Sequence, residues 1–291
     1  MPKLSVLMPV KNGAAYLRTA VRSTLLALPR DAEIVAVDDA SSDPTPEILG
    51  ALAEQDPRLR VLRRERSTGV ADALNFALAR SDSAVVGRMD ADDVCLPWRF
   101  RFQLPQLEDA DFVFGSMVLV NAAGRPRGFS TPMPIRPAAA PLLLLLGNLF
   151  SHPTMCCRRQ AVDALGGYAS TEVEDYELWL RAVAAGFRLR KAIPPVLLYR
   201  MHGAQVTRTW RQRLGDTTLD AAYARLLPPE LQDVAGVLRL SAVARRRESP
   251  EEIAAWSRLR PWIEQRAAAL PRADRSVVER RLARMPDAML S

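Results

Sequence analysis

From its N-terminal side the chain alternates compact apolar runs with stretches of helical spacing. The runs are LSVLMPV (4–10), EIVAVDD (33–39), LRVLRR (59–64) and AVVGRMD (84–90), and helical patterns lie between them at Ala14 to Leu28, Pro44 to Glu54 and Val70 to Arg80. The order predicts βαβαβαβ. Strands that are apolar throughout, with no alternation between two faces, suit a parallel sheet covered by helices on both sides. Ligands of such sheets bind beyond the carboxyl ends of the strands. The polar residues that follow each run are therefore the first to inspect: Lys11 and Asn12, Asp38 to Asp43, and Asp90 to Asp93.

After Pro97 the rhythm changes to a helix-like stretch, then the run DFVFGSMVLV, then a Pro-rich connector from Pro126 to Pro141. Thr171 to Gly186 reads as a helix, with Thr171 as N-cap, Glu174 as its capping-box partner and Gly186 as the stop. Beyond Gln205 the chain is rich in Arg and Ala at helical spacing, with breaks expected at Pro228-Pro229, Pro250, Pro261 and Pro271. No repeat of solenoid period is present. A chain of 291 residues holds one large core and an appendage. The expectation is an α/β domain over 1–205, with a mostly parallel sheet flanked by helices, and a small helical extension over 206–291.

Charge changes this picture only in the tail. The formal net charge is +7, the only lysines are Lys3, Lys11 and Lys191, and residues 206–291 carry 16 arginines against 11 acidic residues. A basic tail can meet nucleic acid or anionic lipid, or it can be a solvated helical face laced with ion pairs. It has no zinc spacing, RNA-recognition signature or Gly-rich basic repeat, which disfavours nucleic acid as a partner. Cys95, Cys156 and Cys157 form no metal-ligand pattern, and the adjacent pair is poorly placed for a disulfide, so a reducing, cytoplasmic setting is expected. LSVLMPV has no basic n-region, apolar h-region or cleavage site before it, which predicts no secretory signal. The longest apolar stretch, PLLLLLG (141–147), is far short of the roughly 20 residues that span a bilayer, so any membrane contact is expected to be peripheral, at the inner face.

Two acidic groups close two predicted strands: Asp38-Asp39 with Ser41, Ser42 and Asp43, and Asp90-Ala91-Asp92-Asp93. Carboxylates at a sheet's ligand-binding edge accept hydrogen bonds from ribose hydroxyls or a base N–H, and they offer the hard oxygens that Mg2+ or Mn2+ prefers. Ser41 to Asp43 also suit turn formation and capping of the next helix. Three carboxylates within four residues repel one another unless a cation sits among them.

The segments SVLMPVKNGAAYL, EIVAVDDASSD, STGVADALNFAL, RMDADD, NLFSHPTMCCR, VEDYELWLRA and LLYRMHGAQVT, in this order, resemble family 2 glycosyltransferases of the GT-A fold, over about Lys3 to Thr207. The resemblance implies a Rossmann-like GT-A domain and an inverting enzyme. Such an enzyme moves a sugar from a nucleotide-diphosphate donor to a hydroxyl of a sugar or lipid-linked acceptor, with Mg2+ or Mn2+. It places Pro9, Val10 and Asn12 beside the nucleotide, Asp39 at the base or ribose, Asp90 toward the ribose and Asp92 on the metal, with Asp93 as a supporting carboxylate. Glu174 and Asp175 match the family's E-D pair, in which the aspartate is the general base; acidic residues in a helix's first turn also complement its dipole. His202 falls where members place a histidine near the diphosphate or metal, and His152 falls in an acceptor-side loop. Trp179 and Tyr176 line the acceptor site or pack within their helix. Gly69 and Asn75 fall on the nucleotide side or in the core. Lys11 stands where an aromatic residue is common, which points it toward phosphate. A second reading is a binding module for nucleic acid or an anionic membrane surface, acting through the tail, with a non-catalytic nucleotide-binding domain. A nucleotidyltransferase is disfavoured, because no Gly-rich phosphate loop is present.

Overall fold

The computed structural model describes residues 3–130, 133–171, 173–203, 218–244 and 249–284. The chain divides into two compact units, one made of Met1–Pro132, Ser151–Ser170 and Ala192–Gly203, the other of Met133–Phe150, Thr171–Lys191 and Ala204–Ser291. This division differs from the one that composition suggests, because 133–150 and 171–191 pack with the C-terminal helices. The boundary expected at 205 lies outside the described residues.

In chain order the elements begin with β1 (Leu4–Val10), α1 (Leu17–Ala27), β2 (Ala32–Asp39), α2 (Thr45–Ala53), β3 (Leu59–Arg64), α3 (Val70–Leu78), β4 (Val85–Arg88), β5 (Val94–Cys95) and α4 (Arg99–Gln103). They continue with β6 (Phe112–Asn121), β7 (Pro126–Phe129), α5 (Ala140–Leu145), β8 (Cys156–Arg158), α6 (Arg159–Ala164), α7 (Glu174–Ala184) and β9 (Leu189–Met201). The last are α8 (Thr218–Ala224), α9 (Ala235–Ala244), α10 (Pro250–Ala268) and α11 (Arg272–Leu282).

The first unit is built on a sheet of order β3-β2-β1-β4-β8-β6-β9-β5, with β7 beside β6. The expected parallel rhythm covers β3, β2, β1 and β4; the pairings of β8 with β4 and β6, of β7 with β6 and of β5 with β9 are antiparallel. Val6, Ile34, Val35, Ala36 and Val37 are fully buried, as strands covered on both faces require. Val21, Leu25 and Leu49 of α1 and α2 pack into the same core, where each large aliphatic side chain contributes about 1.5–3 kcal/mol. Parallel pairing sets Val10 of β1 beside Asp38 of β2, and Asp39 beside Arg64 of β3. The carboxyl ends of β1, β2 and β4 thus come together on one edge. Gly115 of β6 faces Val196 of β9 so closely that an added Cβ would overlap the valine methyls.

The core of the second unit gathers Leu142 to Leu146, Tyr176, Leu178, Trp179, Leu219, Tyr223, Trp256, Leu259, Ile263 and Val278. Two expectations need correction here. Helix α7 begins at Glu174 with Val173 at the cap and no side-chain capping bond, so Thr171 is not the N-cap; its Oγ1 accepts from Val173 N–H instead. Gly186 does end the helix, at φ 84, with Phe187 N–H on Ala182 O and Gly186 N–H on Val183 O. Pro261 does not break the tail, because it lies inside α10. Buried Trp256, Leu259, Ile263 and Ala267 form one apolar stripe on both sides of the proline, and their burial outweighs the lost helical bond. Pro250 sits at the helix start behind a Ser249–Glu252 capping box, and Pro271 caps α11.

Candidate active site

After β1 and β2 the chain makes two interlocked turns. Asn12 and Ala40 take left-handed backbone conformations, φ 52 and 56. Asn12 N–H donates to Ser41 Oγ (2.9 Å), and Asn12 Oδ1 accepts from Ser42 N–H (2.9 Å). Gly13 N–H donates to Thr45 Oγ1 (2.8 Å), and Asp43 accepts from Ala14 and Thr45 N–H. Asn12, Ser41 and Asp43 therefore brace one loop against the other. Pro9 is half-buried at this edge, and Val10 is buried beneath it.

Asp39 is 4% exposed at the end of β2. Its Oδ2 accepts from Ser67 Oγ–H (2.7 Å) and Gly69 N–H (3.3 Å), and its Oδ1 lies 3.5 Å from Arg64 Nη1. Lys11 Nζ donates to the same Ser67 hydroxyl (2.9 Å), which ties the lysine to the Asp39 side of the edge. Beside it Ala40, Ser41, Arg63, Arg64 and Glu65 line a cavity of about 620 Å³.

Beyond β4, Asp90, Asp92 and Asp93 offer carboxylate oxygens that all lie within 4.8 Å of one another. Asp90 pairs with Arg88 (2.5 Å), and Asp92 Oδ2 lies 2.8 Å from His202 Nε2. Asp93 is fully buried; its Oδ1 accepts from Arg200 N–H (2.8 Å), while its Oδ2 has no hydrogen-bond partner. Burial, together with the Asp90 and Asp92 charges, pushes Asp93 well above the usual carboxylate range. Hard oxygens at this spacing, one of them buried and unpartnered, fit a divalent cation such as Mg2+ or Mn2+.

Two residues that the sequence did not single out hold this corner. Arg200 donates from Nε to Asp92 O and from Nη1 to Ala122 O, both at 2.8 Å, and its guanidinium lies 4.5 Å over the Tyr16 ring. Tyr16 also meets the His202 ring, centroids 5.1 Å apart. Their only signal was a place inside the segments GAAYL and YRMH. Arg99 is fully buried, and its Nη2 donates to Arg88 O (2.7 Å) and Met155 O (3.2 Å), joining β4 to the residue before β8.

His152 is buried, with Nε2 3.0 Å from Tyr168 Oη. Asn75 clamps the same residue's backbone: Nδ2 donates to Tyr168 O (2.8 Å), and Oδ1 accepts from Tyr168 N–H (2.9 Å). Asn75 and His152 thus both engage Tyr168.

In the second unit Glu174 and Asp175 open α7, both half-buried. Asp175 Oδ2 accepts from Asn148 Nδ2 (2.9 Å), and Oδ1 accepts from Tyr176 N–H (2.6 Å). Trp179, expected either on the acceptor side or in packing, is fully buried and packs. Arginines of the tail are tied within the unit: Arg239 to Asp220 (2.6 Å), Arg258 to Asp233 (2.8 Å) and Arg260 to Glu264 (2.7 Å). Those at 208, 211, 213 and 245–247 lie outside the described residues. Among the described residues no helix is long and apolar enough to cross a membrane.

The profile described as Glycosyl transferase family 2 matches residues 5–166. EpsE of Bacillus subtilis (strain 168), named as a glycosyltransferase, is 31% identical over 194 residues, 64% of this chain and 69% of its own. Among solved structures, S. aureus TarS 1–349 in complex with UDP-GlcNAc aligns with TM-score 0.67 at 16% identity, over 99% of this chain and 89% of that one. The mannosyltransferase PcManGT from Pyrobaculum calidifontis, in complex with GDP-Man and Mn2+, aligns with TM-score 0.59 at 20% identity, over 99% and 85%.

Proposed function

The chain belongs to glycosyl transferase family 2, with the GT-A fold and a nucleotide-sugar donor, and from that premise we propose that it is an inverting glycosyltransferase with Asp175 as general base and Asp92 as metal ligand. The observation that carries the reading is the cluster of Asp90, Asp92 and Asp93 at the carboxyl end of β4. When bound there, a divalent cation, Mg2+ or Mn2+, neutralises charge on the departing diphosphate. Asp92 and its neighbour His202 would hold it, with buried Asp93 in support; PcManGT, which shares the fold, carries Mn2+. Pro9, Val10 and Asn12 border the nucleotide, Asp39 receives a base or ribose donor, and Asp90 faces the ribose.

A sugar hydroxyl is a weak nucleophile at neutral pH, so a carboxylate must take its proton as it attacks. Asp175 does this: the new C1–O bond forms, the bond from C1 to the diphosphate oxygen breaks on the opposite face, and the anomeric configuration inverts. Glu174 adds negative charge at the helix N-terminus, where the dipole tolerates it. The acceptor is a saccharide hydroxyl, free or lipid-linked. His152, on the acceptor side, shapes that loop through Tyr168.

The test is Asp175→Asn. Transfer should fall by about 100-fold or more, the scale of a lost general base, while calorimetry finds nucleotide binding unchanged. Equal loss of nucleotide binding, or retained transfer, would remove the base from Asp175.

A further inference from the structure

The C-terminal end of α5 is closed by side chains from three other helices. Tyr176 of α7 donates its hydroxyl to Leu144 O. Tyr223 of α8 donates to Leu145 O (2.6 Å), and Arg281 of α11 donates from Nη2 to Leu146 O (2.8 Å). Terminal carbonyls lack the usual i+4 N–H of their own helix; Leu144 O also accepts from Gly147 N–H (3.2 Å), and leaving such carbonyls unpaired among buried leucines is costly. These three donors therefore fix where α5 stops and the next loop starts. Gly147 follows at φ 123, a conformation open mainly to glycine.

Asn148 comes next, and both ends of its amide are committed. Oδ1 accepts from Phe150 N–H (3.2 Å), which aims Nδ2 at Asp175 Oδ2 (2.9 Å). Lys191 Nζ holds Leu149 O (2.9 Å) from the other side. Asp175 Oδ1 thus meets its own helix backbone, and Oδ2 meets Asn148.

Resting on the reading of Asp175 as general base, we propose that Asn148 is the positioning residue of that base, and that the C-terminal helices, through Tyr223 and Arg281, hold Asn148 in place. A carboxylate turns about its Cβ–Cγ bond, yet a base must present a fixed lone pair to the incoming hydroxyl. A donor on Oδ2 fixes the plane and favours the ionised form. Among the described residues, Glu174 precedes this carboxylate in sequence, and the charges of Arg281 and Arg239 act with that of Asp175 on the adjoining Tyr176. The basic tail then has a task inside the protein, independent of any outside partner.

The experiment uses the full chain labelled with 13C-carboxyl aspartate, with the Asp175 resonance identified by its loss in Asp175→Asn. Asn148→Ala should move the Asp175 titration up by about half to one pH unit, since a donor to the charged form is lost. Tyr223→Phe changes no charge, and it should move the resonance and speed amide exchange at 147–150; Arg281→Lys should preserve what Arg281→Met loses. Turnover is read as nucleoside diphosphate release from UDP-N-acetylglucosamine and GDP-mannose. There Asn148→Ala should lower kcat by up to about 100-fold with the donor KM unchanged, the cost of a misplaced group. An Asp175 titration that is unmoved in Asn148→Ala overturns the proposal. Should the titration move while Asp175→Asn still transfers, the base assignment falls, and this role of Asn148 falls with it.

Discussion

At the end of β4 three aspartates share one short turn, and burial separates them. Asp90 and Asp92 were legible in the sequence as a pair at a strand end. The burial of Asp93 was not, because Arg200, which binds it, arrives on β9 from a distant part of the chain. Asn148 was hidden for the same reason: its partner Asp175 lies in another segment. The readings of Ser41 to Asp43 and of Asn75 stayed open because capping residues and ligand-binding residues share the same side-chain chemistry. Lys191 supplies a test at this scale. Burial pushes it down to about 8 from 10.5. Below pH 8 the buried ammonium carries its full desolvation cost; between pH 8 and 10.5 the unfolded chain binds the extra proton, so stability rises with pH, and above 10.5 the effect is complete. Lys191→Met should abolish this rise and be more stable at pH 7 by up to about 3 kcal/mol, less the lost bond to Leu149 O. Urea unfolding at pH 7, 8, 9 and 10 measures it, and a constant difference between variant and wild type contradicts it.

Among the elements, the βαβ rhythm was legible because strands buried on both faces are apolar at every position. The antiparallel half was not, since β5 and β8 have only two and three residues and are defined by their partners. Pro261 misled because propensity is local, whereas the stripe that carries α10 through it is a tertiary fact. Close approach of β6 and β9 depends on a missing side chain: a Cβ on Gly115 would meet Val196 Cγ1 at 2.9 Å and Cγ2 closer still. Gly115→Ala should therefore destabilise the protein by about 1–3 kcal/mol, as overpacking does. Denaturant unfolding checks this, and a midpoint equal to wild type would mean that the strands part without cost.

For the whole molecule, composition marked off 206–291 as an appendage, but packing joins it to 133–150 and 171–191. A chain ended at Gly203 would keep α5 and α7 and lose the helices that donate to Leu145 and Leu146. It should aggregate or melt without cooperativity, and a soluble fragment with a sharp thermal transition would contradict that. A metal-assisted nucleotide site at the β4 carboxylates should show in thermal stability with UDP, GDP, dTDP and CMP, each with and without Mn2+, in wild type and Asp92→Ala. A ligand that binds only the folded state at 100 times its Kd adds about 2.7 kcal/mol. One nucleoside diphosphate should raise Tm in a Mn2+-dependent way that Asp92→Ala abolishes; a rise indifferent to Mn2+ and to Asp92, or no rise with any nucleotide, would rule such a site out.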